Sequence, residues 1–291
     1  MTATAPRVID AHHHVWDLTV RDQDWITGPA LAPLRRTFDL DELRPQAKAA
    51  GVDATILVQT VCLPGETPEF LALAADDPLV AGVVGWTDLT APDVADALAS
   101  LQAGPGGRHL VGIRHQVQSE PDPEWLLRPD VQRGLRAVSA AGLAYDLVIT
   151  ADQLPVATAA AISLPGTGFV LDHLGKPPVA AGALAPWAGH LRAFAALPNT
   201  VAKVSGLLTE ADWRHWQPAD LRPFVDTALD AFGPGRLLFG SDWPVSTLST
   251  DYSRVVATTR DLLLQLTPDE LRDVLGGNAE RVYRLADPWI A

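Results

Sequence analysis

Cysteine is almost missing from this chain. Cys62 stands alone, so no internal disulfide can form. Basic residues are few as well: 22 Lys and Arg face 35 Asp and Glu, for a formal net charge of −13. That balance leaves no basic patch able to grip a phosphate backbone, which argues against a nucleic-acid partner. No apolar run approaches the roughly 18 residues that a membrane span needs, so no membrane partner is expected either. The opening MTATAPRVID lacks a basic stretch followed by an apolar one. No signal peptide is therefore expected, and the cytoplasm is the simplest compartment. Internal repeats, low-complexity tracts and interdomain linkers are also lacking, so one domain is expected over residues 1–291. Hydrophobic residues at 47% and charged residues at 20% exclude a disordered chain.

What is present is a rhythm. Eight short apolar runs, each bounded by turn signals, cover 8–15, 54–61, 80–89, 110–117, 144–150, 168–175, 200–207 and 237–245. Their Val, Ile, Leu and Phe content suits fully buried strands. Helical patterns lie between them. Asp39-Leu-Asp-Glu42 opens one, with a capping Asp and a Glu three residues on. Others cover 91–103, 130–141, 152–162, 187–197, 219–232 and 251–266, and several stop at Gly or Pro, such as Gly51, Gly104, Pro165 and Gly233.

Strands alternating with helices imply parallel strands joined by crossover helices. Eight such units in 291 residues fit a closed (β/α)8, TIM-like barrel. The rival is an open doubly wound sheet, which normally carries a glycine-rich phosphate turn after its first strand. Here that strand ends in Asp10-Ala-His-His-His14, and no GxGxxG occurs. Two segments exceed a minimal barrel. Residues 16–38 form a long loop holding Trp25, which reads either as a lid over the mouth or as a packed surface loop. Residues 267–285 form an additional helical tail, expected to be structural cover.

Polar side chains in buried strands are costly unless paired, so strand ends that carry ionisable groups need a reason. Alternation along strand one would place Asp10, His12 and His14 on one face and His13 on the other. A His-x-His pair aimed into a barrel mouth suits metal ligation or carbonyl polarisation; a satisfied histidine cluster is the structural alternative. Strand six runs into Leu171-Asp-His-Leu-Gly-Lys-Pro177, with His173 at the end where barrel active sites are built. Asp172 would face the opposite way and anchor the following loop. Strand eight reads Leu238-Phe-Gly-Ser-Asp-Trp-Pro244. Its Asp242 suits a general base or a metal ligand, against a loop-capping alternative. The four residues together are far more specific than any one. Weaker candidates for touching a substrate are Arg114, whose planar fork suits a carboxylate or lactone oxygen, and His115, Gln59, Trp86, Tyr145, Lys203 and Trp243. Asp146 and Ser205 belong to the same strands as two of these. For each, pairing within the core is the alternative. Cys62 reads as a small buried residue.

The segments IDAHHHVWD, GIRH, LDHLGKP, KVSG, LFGSDWP and LGGNAERVYRL resemble the amidohydrolase superfamily. Within it they are most similar to the amidohydrolase-2 branch that includes sugar-lactone lactonases and 2-pyrone-4,6-dicarboxylate lactonase. The resemblance spans about residues 8–285. It implies hydrolysis of a small-molecule lactone, such as L-fucono-, L-rhamnono- or L-galactonolactone. His12 and His14 match the HxH of strand one, His173 matches the later-strand histidine, and Asp242 matches the proton-shuttling aspartate. Strand four carries Gly112-Ile-Arg-His115 with no bridging lysine, and Lys203 lies on strand seven, so a binuclear centre is not expected. One divalent metal, zinc or manganese, held by His12, His14, His173 and Asp242, remains open beside metal-independent catalysis. The implied mechanism has Asp242 as general base and then general acid, with the three histidines polarising the carbonyl. The alternatives are a metal-dependent decarboxylase of the same superfamily, another hydrolase of this type, and a non-catalytic ligand-binding barrel.

Overall fold

Strands and helices alternate along the chain of the computed structural model, which describes residues 7–285. Most of the segment read for a signal peptide lies outside them. The elements run β1 (Ile9–His13), α1 (Leu40–Ala49), β2 (Ala54–Val58), α2 (Glu66–Asp76), β3 (Val80–Gly85), α3 (Val94–Ala103), β4 (Leu110–His115) and α4 (Pro129–Ala140). They continue with β5 (Ala144–Leu147), α5 (Leu154–Ser163), β6 (Phe169–Leu171), α6 (Trp187–Ala195), β7 (Thr200–Val204), α7 (Pro218–Phe232), β8 (Leu237–Phe239), α8 (Tyr252–Leu262), α9 (Pro268–Arg272) and α10 (Asn278–Val282). The eight strands pair in parallel and in chain order. The seam closes just past β8. There Asp242 N–H donates to His12 O at 2.8 Å and His14 N–H to Trp243 O at 2.7 Å, and His13 bridges Trp243. The fold is a (β/α)8 barrel.

The period of two along each strand separates two apolar layers. Ile9, Ala54, Ile56, Val84, Val170 and Leu238 fill the barrel. Leu57, Phe169, Leu171 and Phe239 face the helices. Asp39 caps α1 as its sequence implied, accepting from Glu42 N–H at 2.9 Å. Helix α2 was not foreseen. It opens in a Pro-Gly-Glu-Thr-Pro stretch that reads as a turn, and Glu66 stabilises the start by accepting from Thr60 N–H at 2.8 Å. Among the described residues no helix is long and apolar enough to cross a membrane.

The two extra segments have distinct positions. Residues 16–38 return on themselves, with Trp16 and Phe38 exchanging backbone hydrogen bonds of 2.9 Å, and Ile26 and Leu34 are buried beneath them. The loop is thus packed at its base and still carries Trp25 to the barrel mouth. The tail does more than cover the barrel. Tyr283, just after α10, joins the interior layer and donates its hydroxyl to Asp146 Oδ2 at 2.8 Å.

Candidate active site

Four side chains far apart in sequence meet at the C-terminal ends of β1, β6 and β8. The Nε2 atoms of His12, His14 and His173 lie 3.8, 3.7 and 3.8 Å from Asp242 Oδ1. His12 Nε2 and His14 Nε2 are 3.1 Å apart. All four residues are buried. His14, His173 and Asp242 face a cavity of about 120 Å³, together with Arg114, Lys176 and Trp25. Thr60, Gln116, Gln118 and Thr209 supply polar groups to its wall, and Val148 and Val245 supply apolar ones. A larger groove of about 500 Å³, between the 16–38 loop, α1 and α2, contains none of the four.

Each ring is aimed by its other nitrogen. His14 Nδ1 lies 2.8 Å from Val58 O, a group that only accepts, so Nδ1 carries the proton and the Nε2 lone pair faces Asp242. His173 Nδ1 sits 2.9 Å from Ser205 Oγ. His12 Nδ1 lies 3.2 Å from both Asp172 Oδ1 and Lys203 Nζ. Two glycines make the room. A Cβ on Gly206, whose φ is +62°, would stand 2.4 Å from His173 Nδ1, and one on Gly240 would stand 2.7 Å from the His12 Cβ. The KVSG and LFGSDWP segments thus serve the rings directly: Ser205 orients His173, while Gly206 and Gly240 admit the two imidazoles.

Two of the four site residues bend the backbone into the left-handed region: His173 at φ 54° and Asp242 at φ 57°. For a non-glycine residue that conformation costs roughly 1–2 kcal/mol. Such outliers concentrate where a site over-determines them. The bend also corrects the expectation for Asp172. Alternation from the inward Val170 and the outward Leu171 already carries Asp172 into the barrel, and the left-handed turn that begins at His173 brings that ring to the same side. Asp10 is a second correction. A register shift between Asp10 and His13 breaks the alternation of β1. Asp10 accepts from Ser241 N–H at 2.7 Å and from Tyr252 Oη–H at 2.9 Å, bracing the seam instead of facing the mouth.

Beneath the imidazoles lies a buried ionic network. Lys203 Nζ is 2.5 Å from Asp146 Oδ2 and 3.0 Å from Asp172 Oδ1. Arg114 donates from Nη1 to Asp172 Oδ2 at 3.0 Å, from Nε to Gln59 Oε1 at 2.8 Å, and from Nη2 to Gln59 O. Burial alone would raise the Asp172 pKa, but Lys203, His12 and Arg114 hold it well below the ordinary carboxylate range. Burial pushes Asp146 up to about 6 against the pull of Lys203. Lys203 is thus committed to carboxylates and is not free to bridge two metals.

The same forces set the protonation of the reacting groups. Desolvation depresses all three imidazoles, His12 well below its usual value and His173 to about 4, so they are neutral near pH 7. Burial opposes ionisation of Asp242, yet the neighbouring His173 and His14 hold its pKa below the usual value. Neutral imidazole nitrogens converging with an ionised carboxylate are the donor set of a divalent metal. Ligands about 2.1 Å from one tetrahedral ion lie about 3.4 Å apart, and the observed 3.1–3.8 Å brackets that spacing. His12, His173 and Asp242 have donor atoms mutually within 4.8 Å. These three fit a single divalent ion, and His14 stands outside that set.

The weaker candidates divide. Arg114 reaches the cavity, and Gln59 holds it there without lining the wall. Lys203 is sealed below. Trp243 is fully buried against Phe38, with ring centroids 5.6 Å apart. Tyr145 has the opposite facing to Asp146 and packs against Phe169 in the outer layer. His115 stacks on Trp125 at 4.2 Å and lies 2.6 Å from Glu120, while Trp86 donates to His115 Nδ1 at 3.0 Å, and neither ring lines the cavity. Cys62 is part-exposed beside His115. Lys176, Thr60, Gln116, Gln118 and Thr209 were missed. The chain has only three lysines, Lys48, Lys176 and Lys203. Two of them in short segments beside catalytic candidates was a signal available from sequence.

Comparison with known proteins agrees with this geometry. The family model described as Amidohydrolase matches residues 9–285. The chain is 40% identical to an L-fucono-1,5-lactonase of Burkholderia multivorans, over 96% of this chain and 97% of that protein. It is 37% identical to an L-fucono-1,5-lactonase of Burkholderia ambifaria, over 96% of each. Among solved structures, an amidohydrolase from Burkholderia multivorans with bound zinc is similar at a TM-score of 0.91 and 39% identity, covering 96% of this chain and all of that one.

Proposed function

The chain belongs to the amidohydrolase family, and on that premise we propose that it hydrolyses a sugar lactone of the L-fucono-1,5-lactone type to the open-chain sugar acid. The observation that carries this reading is one ionised carboxylate ringed by three neutral imidazoles in a small polar cavity at the barrel mouth. The full-length similarity to two L-fucono-1,5-lactonases supports the substrate class.

The residues divide the chemistry as follows. Asp242 accepts a proton from the water whose oxygen attacks the lactone carbonyl carbon. The bond from that carbon to the ring oxygen then breaks, and Asp242 returns the proton to the ring oxygen. The acid so formed loses its own proton to solvent. His14 presents a lone pair, so it polarises a carbonyl only through a cation or proton shared with it. A divalent metal, zinc or manganese, held by His12, His173 and Asp242 would supply Lewis-acid polarisation and a water that ionises near neutrality. Arg114 brings a fixed positive charge to the cavity floor, 3.3 Å from His12 Nε2. Trp25 offers an aromatic face to the apolar side of a sugar ring, and Thr60, Gln116, Gln118 and Thr209 suit its hydroxyls. A lactone is a cyclic ester, and it yields to a carboxylate base more readily than an amide does.

The test is a pH-indicator screen against fucono-, rhamnono-, galactono-, arabinono- and xylono-lactones. Acid release from at least one is the expected result. No acid release from any, with carbon dioxide released from an aromatic or unsaturated acid, would move the assignment to a decarboxylase.

A further inference from the structure

The turn that delivers His173 continues to a second side chain that the reaction above does not use. His173, Leu174, Gly175 and Lys176 have φ of 54°, 51°, 69° and 52°, four consecutive residues in the left-handed region. Lys176 N–H closes the turn on His173 O at 2.9 Å. Three of the four are not glycine, and L-residues avoid this conformation in series. Its consequence is spatial: His173 and Lys176, three positions apart, line the same cavity as Asp242. A regular continuation of β6 would instead send successive side chains to alternate faces.

Lys176 differs from the other barrel lysine. Lys203 is consumed by Asp146 and Asp172, whereas Lys176 makes no ion pair among the described residues. The acidic groups facing it are Asp242 and Glu210. Asp242 is already engaged by the imidazoles, and burial raises the pKa of Glu210. Lys176 is thus left on the cavity wall without a direct ion pair among the described residues, in the same cavity as His173 and Asp242.

Resting on the lactonase reading, we propose that Lys176 receives the negative charge that ring opening creates, first on the carbonyl oxygen and then on the product carboxylate. A lactone is neutral and its product is anionic. A cation here therefore interacts weakly with substrate and strongly with the oxyanion and the sugar acid. Removing one such group typically lowers kcat by about 10²–10³-fold.

The test compares Lys176→Met and Lys176→Arg with the wild type. Three quantities are read: kcat, KM for the lactone, and the inhibition constant of the sugar acid it yields. For Lys176→Met the expected result is a kcat loss of about 100-fold, KM within about threefold, and sugar-acid inhibition at least about tenfold weaker. Lys176→Arg should recover most of the inhibition. Methionine meets the same backbone penalty as lysine, and equal melting temperatures of the two proteins would verify the fold. Raised KM with kcat and inhibition unchanged would overturn the proposal and make Lys176 a contact for substrate hydroxyls. A binding arm separates this from the lactonase reading itself. Calorimetry with an aldonate and with the alditol of the same configuration needs no turnover. Wild type that prefers the aldonate, with the preference lost in Lys176→Met, supports the anion site even if no lactone is hydrolysed. Equal affinity for both ligands in wild type overturns it even if lactones are hydrolysed.

Discussion

Replacing Lys203 with Met separates a buried scaffold lysine from a substrate contact. Lys203 Nζ lies 2.5 Å from Asp146 and 3.0 Å from Asp172, and all three residues are fully buried. Removing one partner of such a group strands the other charges, at a cost of about 3–5 kcal/mol. For a chain of this size each kcal/mol moves the melting temperature by about 2–4 °C, so the drop should be about 6–20 °C. Asp172 keeps Arg114, at 3.0 Å, so most of the damage falls on Asp146. The double variant Lys203→Met/Asp146→Asn should therefore be more stable than Lys203→Met alone, a non-additive result that only direct coupling produces. Lys203 also lies 3.2 Å from His12 Nδ1, so kcat should fall in the single variant. KM should not change, because the side chain does not reach the cavity. Scanning calorimetry and steady-state kinetics read both quantities. A stability loss under about 1 kcal/mol together with a raised KM would refute the reasoning, since surface ion pairs are worth that little.

Gly206→Ala should lower kcat at least about 100-fold while the barrel still folds, because its Cβ would fall 2.4 Å from His173 Nδ1; the check is kinetics beside a circular-dichroism melt. Ser205→Ala frees His173 Nδ1, and loss of such a supporting group typically weakens metal affinity about 10–100-fold; zinc titration of the chelator-stripped protein measures it. His13 is fully buried with both ring nitrogens unpartnered, and burial lowers its pKa to about 3. An unfolded chain protonates this ring below pH 6.5 while the folded one stays neutral, so stability is lost as pH falls from 6.5 toward 3. Relative to pH 8, wild type at pH 5 should lose about 2 kcal/mol more than His13→Leu, as urea unfolding at both pH values would show.

The barrel was legible because buried parallel strands leave near-continuous apolar runs, and here eight of them are punctuated by Gly, Pro and capping residues. The four central residues were legible as ionisable groups at strand ends, where apolar strands give no reason to hold them. What was not legible depends on broken regularity. Asp10 lies beside a register shift, and His173 and Lys176 lie in a left-handed turn that ends the alternation a strand pattern assumes, so Asp172 was given the wrong face by counting from His173. The secondary candidates failed to converge for a related reason. Tyr145 and Asp146 are adjacent on one strand, so only one could enter the barrel, and it was the charged one, drawn to Lys203. Helix α2 was hidden by prolines and a glycine that normally mark a turn, and the buried carboxylate of Glu66 ties its first residue back to the Thr60 N–H of the preceding loop.

The central claim is that Asp242 moves the proton when the lactone ring opens. The direct measurement is kcat of Asp242→Asn on the lactone that wild type hydrolyses, with melting temperature recorded alongside. A loss of about 10²–10⁴-fold with the melting temperature kept is the result this account predicts. A folded variant that turns over lactone at near the wild-type rate would contradict it.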